Sequence, residues 1–255
     1  MWLCEKFGVS RTAVWKVIRQ LQEEGYEVEA VRNKGYRIID SPDVMTKEEL
    51  EELVPVIIEK DLYVISDEIY AELTYGGKRH CSIGSLPGMK ERTIVINGFS
   101  KAFAMTGWRL GYACGPATVI EQMVKLHQFA IMCAPTTSQY AAIEALKNGD
   151  KDVEEMRQAY NQRRRYLIKR FKDIGLECFE PFGAFYVFPC IKEFGMTSEE
   201  FATKFLMEEK VAAVPGTAFG QSGEGFLRIS YAYSMENLKE AIDRLEPVSY
   251  THLRA

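Results

Sequence analysis

The first apolar pattern in the chain has the spacing of an amphipathic helix. Four residues recur at positions i, i+3, i+4 and i+7: Val14, Val17, Ile18 and Leu21. A helical period places all four on one face, so the pattern predicts that they are buried together. Ser10 precedes the pattern and is a residue type that is preferred at helix starts, where its side chain caps the helix.

The segments on either side complete a helix-turn-helix pattern with a hairpin. A GVS turn at 8–10 separates two helical stretches. Polar and apolar residues then alternate over 26–31, and an NKG turn at 33–35 precedes a second short run at 36–38. The alternation and the turn predict two paired β-strands.

A helix and three strands are predicted next. Thr46 and Glu49 have the spacing of a capping box, and the helical pattern that follows contains Pro55, which should kink the helix. Two continuous apolar runs have the length of strands, 62–66 and 93–97, and 110–114 is a candidate third strand. Such runs are typical of strands buried on both faces of a mostly parallel sheet, so they predict an α/β layer.

The rest of the pattern predicts further helices and a smaller α+β unit. Helices are expected at 116–131, 137–147, 151–174 and 235–245. Strands are expected at 184–188 and 226–230. Strands and helices that are segregated in this way predict an α+β layout for the last part of the chain.

Composition narrows the classes of function. The 255 residues carry 32 basic and 36 acidic side chains, a net charge of -4, so no global positive field draws the chain to nucleic acid or membrane. No apolar run approaches the length of a membrane span. The six scattered cysteines are expected to be reduced core thiols of a cytoplasmic protein. The three histidines lack metal-ligand spacing, so no metal site is expected.

Reactive side chains follow the first two predicted strands. Asp67 and Tyr70 come directly after the first strand, Ser100 and Lys101 follow the second, and Arg109 lies shortly beyond. Because ligands bind outside the carboxyl ends of strands in open α/β sheets, we expect these side chains to converge. Pyridoxal phosphate (PLP) chemistry needs such groups, since the cofactor requires a lysine amine and a carboxylate beside its pyridine nitrogen.

Five segments resemble the motifs of one enzyme family: DEIY, NGFSKAFAMTGWRLGY, GAFYVFP, VPGTAFG and FLRISYA. Over 46–246 the chain is similar to the carboxyl-terminal half of class I and II aminotransferases, PLP enzymes of fold type I in the aspartate aminotransferase superfamily. The resemblance implies part of the PLP-dependent transferase fold. That fold has a mostly parallel sheet with flanking helices and an α+β small domain.

The resemblance also implies roles for the motif residues. Lys101 would bind PLP as a Schiff base and act as the general base. Asp67 would pair with the pyridinium nitrogen, and Tyr70 would donate a hydrogen bond to the phenolate oxygen. Arg228 would bind the α-carboxylate of the substrate, which orients the Cα–H bond.

The phosphate and the partners follow from the same resemblance. Ser100 and Arg109 would hold the phosphate, for which a guanidinium is a rigid fork. Some family members have a further phosphate-donating serine where this chain has Gly98. The implied reaction is ping-pong transfer of an amino group from an amino acid to a 2-oxo acid, in a homodimer. The identity of the amino acid stays open.

The segments GVSRTAVWK and NKGYRI resemble the winged helix-turn-helix of bacterial biotin ligases that repress the biotin operon. This resemblance implies DNA contact by residues at the start of the second helix: Ser10, Arg11, Thr12 and Lys16. Few residues precede the turn, so a truncated module is expected. Some transcription regulators fuse a winged helix to an aminotransferase-like domain that senses PLP, and a DNA-binding regulator is therefore the alternative function.

We expect the family's amino-terminal half to be absent, together with the aromatic residue that stacks on the cofactor ring. An incomplete or inactive enzyme that retains PLP weakly and aggregates through exposed strand edges is then expected. The tail at 247–255 resembles a sequencing adapter, and we hypothesise a chimeric fragment joined within 42–50. The predicted parts are 1–40, 46–160 (large domain), 161–246 (small domain) and this non-native tail.

Overall fold

The computed structural model describes residues 10–23, 27–31, 35–40, 45–77 and 79–253. Some predicted features lie outside the described residues: the turn at 8–9, the turn residues 33–34, the junction residues 42–44, Cys4 and the end of the tail at 254–255. The predictions for these positions stay predictions.

The first described elements are a helix and a hairpin. Helix α1 spans Arg11–Glu23. Strand β1 (Glu27–Val31) pairs antiparallel with strand β2 (Gly35–Asp40). The predicted helix and the predicted strand pair are therefore confirmed within the described residues.

The start and the buried face of α1 follow the predicted pattern in part. The hydroxyl of Ser10 accepts a hydrogen bond from the backbone N–H of Ala13 at 3.1 Å, so it caps the helix. Ile18 is buried, whereas Val17 is 54% exposed. The predicted burial of Val17 is wrong because successive helical residues project about 100° apart, and the buried stripe around Ile18 does not reach it.

Helix α2 spans Lys47–Glu59 and begins with the predicted capping box. The Thr46 side chain accepts from the N–H of Glu49 at 3.2 Å, and the Glu49 side chain accepts from the N–H of Thr46 at 2.8 Å. Pro55 lies inside the helix, which continues beyond it. One face of α2 joins a small buried cluster: Leu50, Ile83, Leu86 and Met89.

Three strands form the sheet that carries the reactive segments. These strands are β3 (Val64–Asp67), β4 (Thr93–Gly98) and β5 (Gly111–Cys114), in the order β3-β4-β5. Strands β3 and β4 pair in parallel, and β4 and β5 pair antiparallel. The three predicted strands are confirmed, and this part of the sheet is mixed.

One face of this sheet is covered and the other is open. Val64 packs against the cluster beneath α2. On the opposite face Ile65 is 72% exposed and Ile96 is 40% exposed, although Ile94 beside Ile65 is buried. The prediction that these strands are buried on both faces is wrong at Ile65 and Ile96. A strand is buried on both faces only where another layer of the structure covers each face of the sheet. The described residues leave the side chains of Ile65 and Ile96 uncovered.

The helices that follow the sheet match the predicted bounds to within two residues. They are α3 (Ala117–Ala130), α4 (Thr136–Asn148) and α5 (Asp150–Asp173). Helix α3 has large apolar side chains at its surface, with Phe129 96% exposed. Exposed apolar patches of this kind are unusual for a monomer surface.

A second unit follows α5. Its elements are β6 (Tyr186–Val187), α6 (Ser198–Glu209), β7 (Val214–Pro215), β8 (Leu227–Ser230) and α7 (Met235–Leu253). The strands are antiparallel in the order β6-β8-β7. Helix α7 continues past the predicted end at 245. Helix α6 was not predicted, although Thr197 and Glu200 form a capping box that marks its start.

The core of this second unit also contains residues from far upstream. Leu167 and Phe171 of α5 and Tyr231 beyond β8 are fully buried in one cluster. Leu73 and Tyr75, which follow β3, are fully buried in the same cluster. The chain therefore passes from the end of β3 directly into the core of the second unit.

The described cysteines carry free thiols but are not all in the core. Burial raises the pKa of Cys178 to about 12. Cys114 and Cys133 are exposed, which corrects the prediction of core thiols at these two positions. Cys114 lies on the edge strand β5 and Cys133 in the connection between α3 and α4, so neither is enclosed by a second layer.

We expect Ile65→Lys to reduce association of the chain at high concentration. Ile65 is exposed on β3, an edge strand, and a charge at an edge opposes strand pairing between molecules. Light scattering across a concentration series measures the effect. Tyr140→Lys, which adds the same charge to exposed α4, is the control and should reduce scattering less. Equal scattering from the wild-type chain and Ile65→Lys would contradict this expectation.

Candidate active site

The parallel pairing of β3 and β4 brings two reactive segments to the same edge of the sheet. Asp67, the last residue of β3, lies beside Ile96 of β4. The Asp67 carboxylate is exposed and accepts a hydrogen bond from the N–H of Ile69 at 3.1 Å, which opens the turn to Tyr70. This turn therefore starts next to the segment that carries Lys101.

Glu68 fixes the backbone beside Asp67. Its side chain is 7% exposed, and one carboxylate oxygen accepts hydrogen bonds from Ser66 at 3.1 Å and Ser82 at 2.6 Å. The other oxygen lies 3.0 Å from Nε2 of His80. A buried carboxylate with this many partners holds the end of β3 in place.

The amine of Lys101 lies beside two aromatic rings. Its Nζ atom is 5.8 Å from the centre of the Tyr70 ring and 5.5 Å from the centre of the Phe185 ring. The two rings meet edge to face, with centroids 5.5 Å apart. Lys101 and Tyr70 thus lie close together, and Phe185 from the second unit contacts both of them.

The hydroxyl of Tyr70 has its own partner in the second unit. It lies 3.5 Å from the hydroxyl of Tyr186, within hydrogen-bonding distance. Burial, and next the hydrogen bond with Tyr186, raise the pKa of Tyr70, while the positive charge of Arg228 acts in the opposite direction. Tyr70 therefore keeps its proton at neutral pH and can donate a hydrogen bond.

Arg228 lies on β8 between two further rings. Its guanidinium carbon is 4.5 Å from the centre of the Tyr186 ring and 4.1 Å from that of Phe219. Within the described parts of the chain, no Asp or Glu forms an ion pair with Arg228. Its donor fork is therefore available to a carboxylate from outside the chain.

A cavity of about 510 Å³ lies beside Arg228 and is bounded by β7, β8 and α7. Tyr186, Arg228 and Arg244 are among the residues that line it. Arg244 pairs with Glu240 at 2.5 Å and also donates to a backbone carbonyl. The two arginines that line this cavity thus differ in their ion pairing, because Arg244 already has an acidic partner within its own helix.

The segment after β4 closes into a short loop. The Thr106 hydroxyl donates to the carbonyl of Ser100 at 2.9 Å, and Nη1 of Arg109 donates to the carbonyl of Thr106 at 3.2 Å. Arg109 is exposed and has a φ of 52°, in the left-handed region. Ser100 and Arg109 therefore sit on one closed turn beside Lys101, with Thr106 between them.

Gly98 begins this loop at a close contact between strands. A Cβ atom at Gly98 would lie 3.0 Å from the Cα of Gly111 and 3.0 Å from the carbonyl oxygen of Leu110. Both atoms belong to backbone, so neither can move aside cheaply. A side chain at this position would therefore press on the backbone next to β5.

Three aromatic residues of the site were not singled out from the sequence: Phe185, Tyr186 and Phe219. They lie in the GAFYVFP and VPGTAFG segments. Phe185 and Val187 are buried while Tyr186 between them is half-buried. Successive side chains of a strand point to opposite faces, so Tyr186 lies on the face opposite to that of its buried neighbours.

The predicted DNA-contact residues lie at the start of α1. Ser10 caps the helix, and Thr12 and Lys16 are exposed. The side chain of Arg11 lies outside the described residues. DNA contact by these residues stays a prediction.

In the described ranges, no group of three or more His, Cys, Asp or Glu side chains is arranged to hold a metal ion. Within the same ranges, no helix combines the length and the apolar character of a bilayer-spanning segment.

The chain matches two known protein families. The family described as Aminotransferase class I and II matches residues 41–245. The chain belongs to this family. A separate helix-turn-helix (HTH) domain family matches residues 3–37. The predicted fold class, part of the PLP-dependent transferase fold preceded by a helix-turn-helix, is confirmed.

Individual aminotransferases cover most of this chain. A Bacillus subtilis protein named as an aminotransferase, YugH, is 55% identical over 203 residues, which are 80% of this chain and 52% of that protein. The aspartate aminotransferase of Pyrococcus abyssi is 52% identical over 218 residues, 83% of this chain and 56% of that enzyme. A crystal structure of an aromatic aminotransferase from Pyrococcus horikoshii superposes with a TM-score of 0.79 at 50% identity, covering 84% of this chain and 58% of that one.

The relatives are longer than this chain. It covers 52% of the Bacillus protein and 56% of the Pyrococcus abyssi enzyme, about half the length of the curated relatives it matches.

We expect Gly98→Ser to lower the free energy of unfolding by about 1–3 kcal/mol, the usual cost of overpacking a tight contact. The added Cβ would press on the backbone of β5. Urea unfolding followed by circular dichroism measures the change. Gly107→Ser is the matched control, because a Cβ at Gly107 meets no atom within 4 Å. The expectation is wrong if the two variants unfold at the same urea concentration.

Proposed function

We propose that this chain carries the lysine-bearing part of an aminotransferase site and transfers amino groups between amino acids and 2-oxo acids with PLP. One observation carries the proposal, a continuous path of contacts from the Lys101 amine to the Arg228 guanidinium. Lys101 lies 5.8 Å from the ring of Tyr70, the Tyr70 hydroxyl lies 3.5 Å from that of Tyr186, and Arg228 lies 4.5 Å from the Tyr186 ring.

The side chains present fit PLP. The cofactor has an aldehyde, a pyridine nitrogen, a phenolate oxygen and a phosphate, and each needs a different partner. Lys101 supplies an amine, the exposed Asp67 a carboxylate, and Tyr70 a hydroxyl that stays protonated. Ser100 and Arg109 lie on one turn and supply phosphate donors.

The roles of the chain's own residues follow from their chemistry. When bound, PLP withdraws electrons from the substrate Cα, which makes its C–H bond acidic. Arg228 would bind the α-carboxylate with two parallel hydrogen bonds and so fix the direction of that bond. The Nζ atom of Lys101 would move the proton from Cα to the cofactor within the first half of the reaction, and would move a proton in the opposite direction when the 2-oxo acid reacts. The rings of Tyr70 and Phe185 shield one side of the amine from water.

Substrate class, partners and location belong to the same proposal. The Pyrococcus abyssi relative is named an aspartate aminotransferase, and we extend its class of substrates, amino acids with a free α-carboxylate, to this chain. A cytoplasmic homodimer is proposed from the family. The site is open toward solvent at Asp67 and Arg109, which are both exposed, so we expect weak retention of PLP.

A second function is favoured by the helix-turn-helix match over 3–37 and by the exposed Thr12 and Lys16. This function is a DNA-binding regulator that senses PLP. Fluorescence anisotropy with duplex DNA, with and without PLP, separates the two proposals. Binding that responds to PLP favours the regulator, and amino transfer from L-aspartate without DNA binding favours the enzyme.

We expect PLP to attach covalently to Lys101, and we expect this attachment to be absent in the variant Lys101→Ala. Borohydride reduction of the chain after incubation with PLP, followed by peptide mapping, locates the attached group. Lys90→Ala, which removes an exposed lysine, is the control and should keep the label on the Lys101 peptide. A label that spreads evenly over surface lysines, with Lys101→Ala labelled as strongly as the wild type, would show that Lys101 has no special affinity.

We expect Arg228→Lys to lower kcat/KM for L-aspartate by roughly 10- to 100-fold, because an ammonium cannot replace the planar two-donor contact with a carboxylate. Steady-state kinetics with 2-oxoglutarate as the acceptor measure the loss. Arg244→Lys changes the other arginine of the same cavity and should have little effect, since that side chain is paired with Glu240. Equal losses in the two variants would overturn the assignment of Arg228.

A further inference from the structure

Ala184 has an unusual backbone conformation at a place that matters for the site. Its φ is 58°, in the left-handed region that residues with a Cβ rarely adopt. Phe185 and Tyr186 follow directly, and these two rings contact Lys101 and Arg228 respectively. The direction in which the aromatic pair leaves the preceding segment therefore depends on Ala184.

Two buried tyrosines hold the carbonyl of Ala184. The hydroxyl of Tyr75 donates to this oxygen, and the hydroxyl of Tyr231 donates to the same oxygen at 3.1 Å. Both tyrosines are fully buried. A carbonyl oxygen has two lone pairs, so one oxygen can accept both hydrogen bonds.

Both hydroxyls remain donors at neutral pH. Burial raises the pKa of Tyr75 to about 12, and burial raises the pKa of Tyr231 as well. Each hydroxyl therefore keeps its proton at neutral pH and is able to donate to the Ala184 carbonyl.

The same residues join three separate segments of the chain. The N–H of Ala184 donates to the carbonyl of Leu73 at 2.9 Å, and the N–H of Tyr231 donates to the carbonyl of Phe185 at 2.9 Å. The segment that follows Tyr70, the aromatic pair and the end of β8 are thus tied at one point. Each of these segments carries a residue of the candidate site.

We propose that Tyr75 and Tyr231 are positioning residues that hold Ala184 in its left-handed conformation and thereby direct Phe185 toward Lys101 and Tyr186 toward Arg228. The geometric part of this proposal stands on the contacts alone. Its effect on amino transfer rests on the proposed function.

The hydroxyls can be removed without emptying the core. Tyr75→Phe and Tyr231→Phe keep the buried rings and delete only the groups that contact Ala184. Tyr166→Phe is the matched control, because Tyr166 packs against the same core from α5. A difference between the double Phe variant and this control therefore reports on the contact with Ala184.

The first measurement is the contact between the rings of Tyr70 and Tyr186, whose centroids are 6.3 Å apart. Nuclear Overhauser effects between labelled tyrosine rings detect it in the chain without cofactor. We expect the contact in the wild-type chain and in Tyr166→Phe, and its loss in the double variant Tyr75→Phe/Tyr231→Phe. This readout does not depend on activity.

The second measurement separates KM from kcat. Arg228 would hold the carboxylate in the ground state and in the transition state alike, so its displacement should appear mainly in KM for L-aspartate. A misplacement of about 1 Å can cost up to about a hundredfold, and we expect a rise of roughly 10- to 100-fold in the double variant. The control should keep the KM of the wild-type chain.

Ala184→Gly provides a rescue. Glycine adopts positive φ without a steric cost. Adding this substitution to the double variant should therefore restore the ring contact and lower KM part of the way back to the wild-type value. If the double variant melts at a lower temperature but keeps both the ring contact and the KM, the tyrosines only stabilise the fold and the proposal is wrong. If the ring contact is lost while the wild-type chain shows no amino transfer, the positioning role is supported and the proposed function is overturned.

Discussion

The parallel pairing of β3 with β4 is the constraint on which the candidate site depends. Parallel neighbours end at the same edge of a sheet, so the chain leaves Asp67 and the end of β4 in the same direction. The buried side chain of Glu68 holds the segment that follows β3 in place through contacts with Ser66, Ser82 and His80. The segment that follows β4 leads through Gly98 to Lys101, and a Cβ at Gly98 would lie only 3.0 Å from backbone atoms of Leu110 and Gly111. Without this shared edge, the two motifs would remain separate loops.

The second unit completes the site because its core extends back to the end of the first sheet. Tyr75 is buried in that core, and the turn that leads to it from β3 carries Tyr70. Phe185, directly before β6, and Tyr186, its first residue, then lie between the Lys101 amine and the Arg228 guanidinium. The packing of apolar side chains therefore positions the polar groups. Phe185, which is buried in the core, contacts the Lys101 amine, and Tyr186, which packs against that core, contacts the Arg228 guanidinium.

Residues of the same type differ in their surroundings in this chain. Arg244 and Arg228 share a cavity, but an acidic residue in its own helix neutralises Arg244, whereas aromatic faces support Arg228. Likewise Glu68 is buried and multiply bonded, while the adjacent Asp67 is exposed and accepts a single described hydrogen bond. Residue type states what chemistry a side chain can perform, and its partners decide whether that chemistry is available to a ligand.

The sequence by itself determined most of the elements and the order of the reactive residues, since helical period, capping boxes and apolar runs are local signals. The capping box at Thr46 and the bounds of α3, α4 and α5 follow from such signals. Only the tertiary structure decided that Ile65 is exposed, that Tyr186 joins the site, and that Ala184 takes a left-handed conformation. These features depend on contacts between segments distant in the chain, such as Tyr75 with Ala184, and local periodicity carries no information about which distant segments will meet.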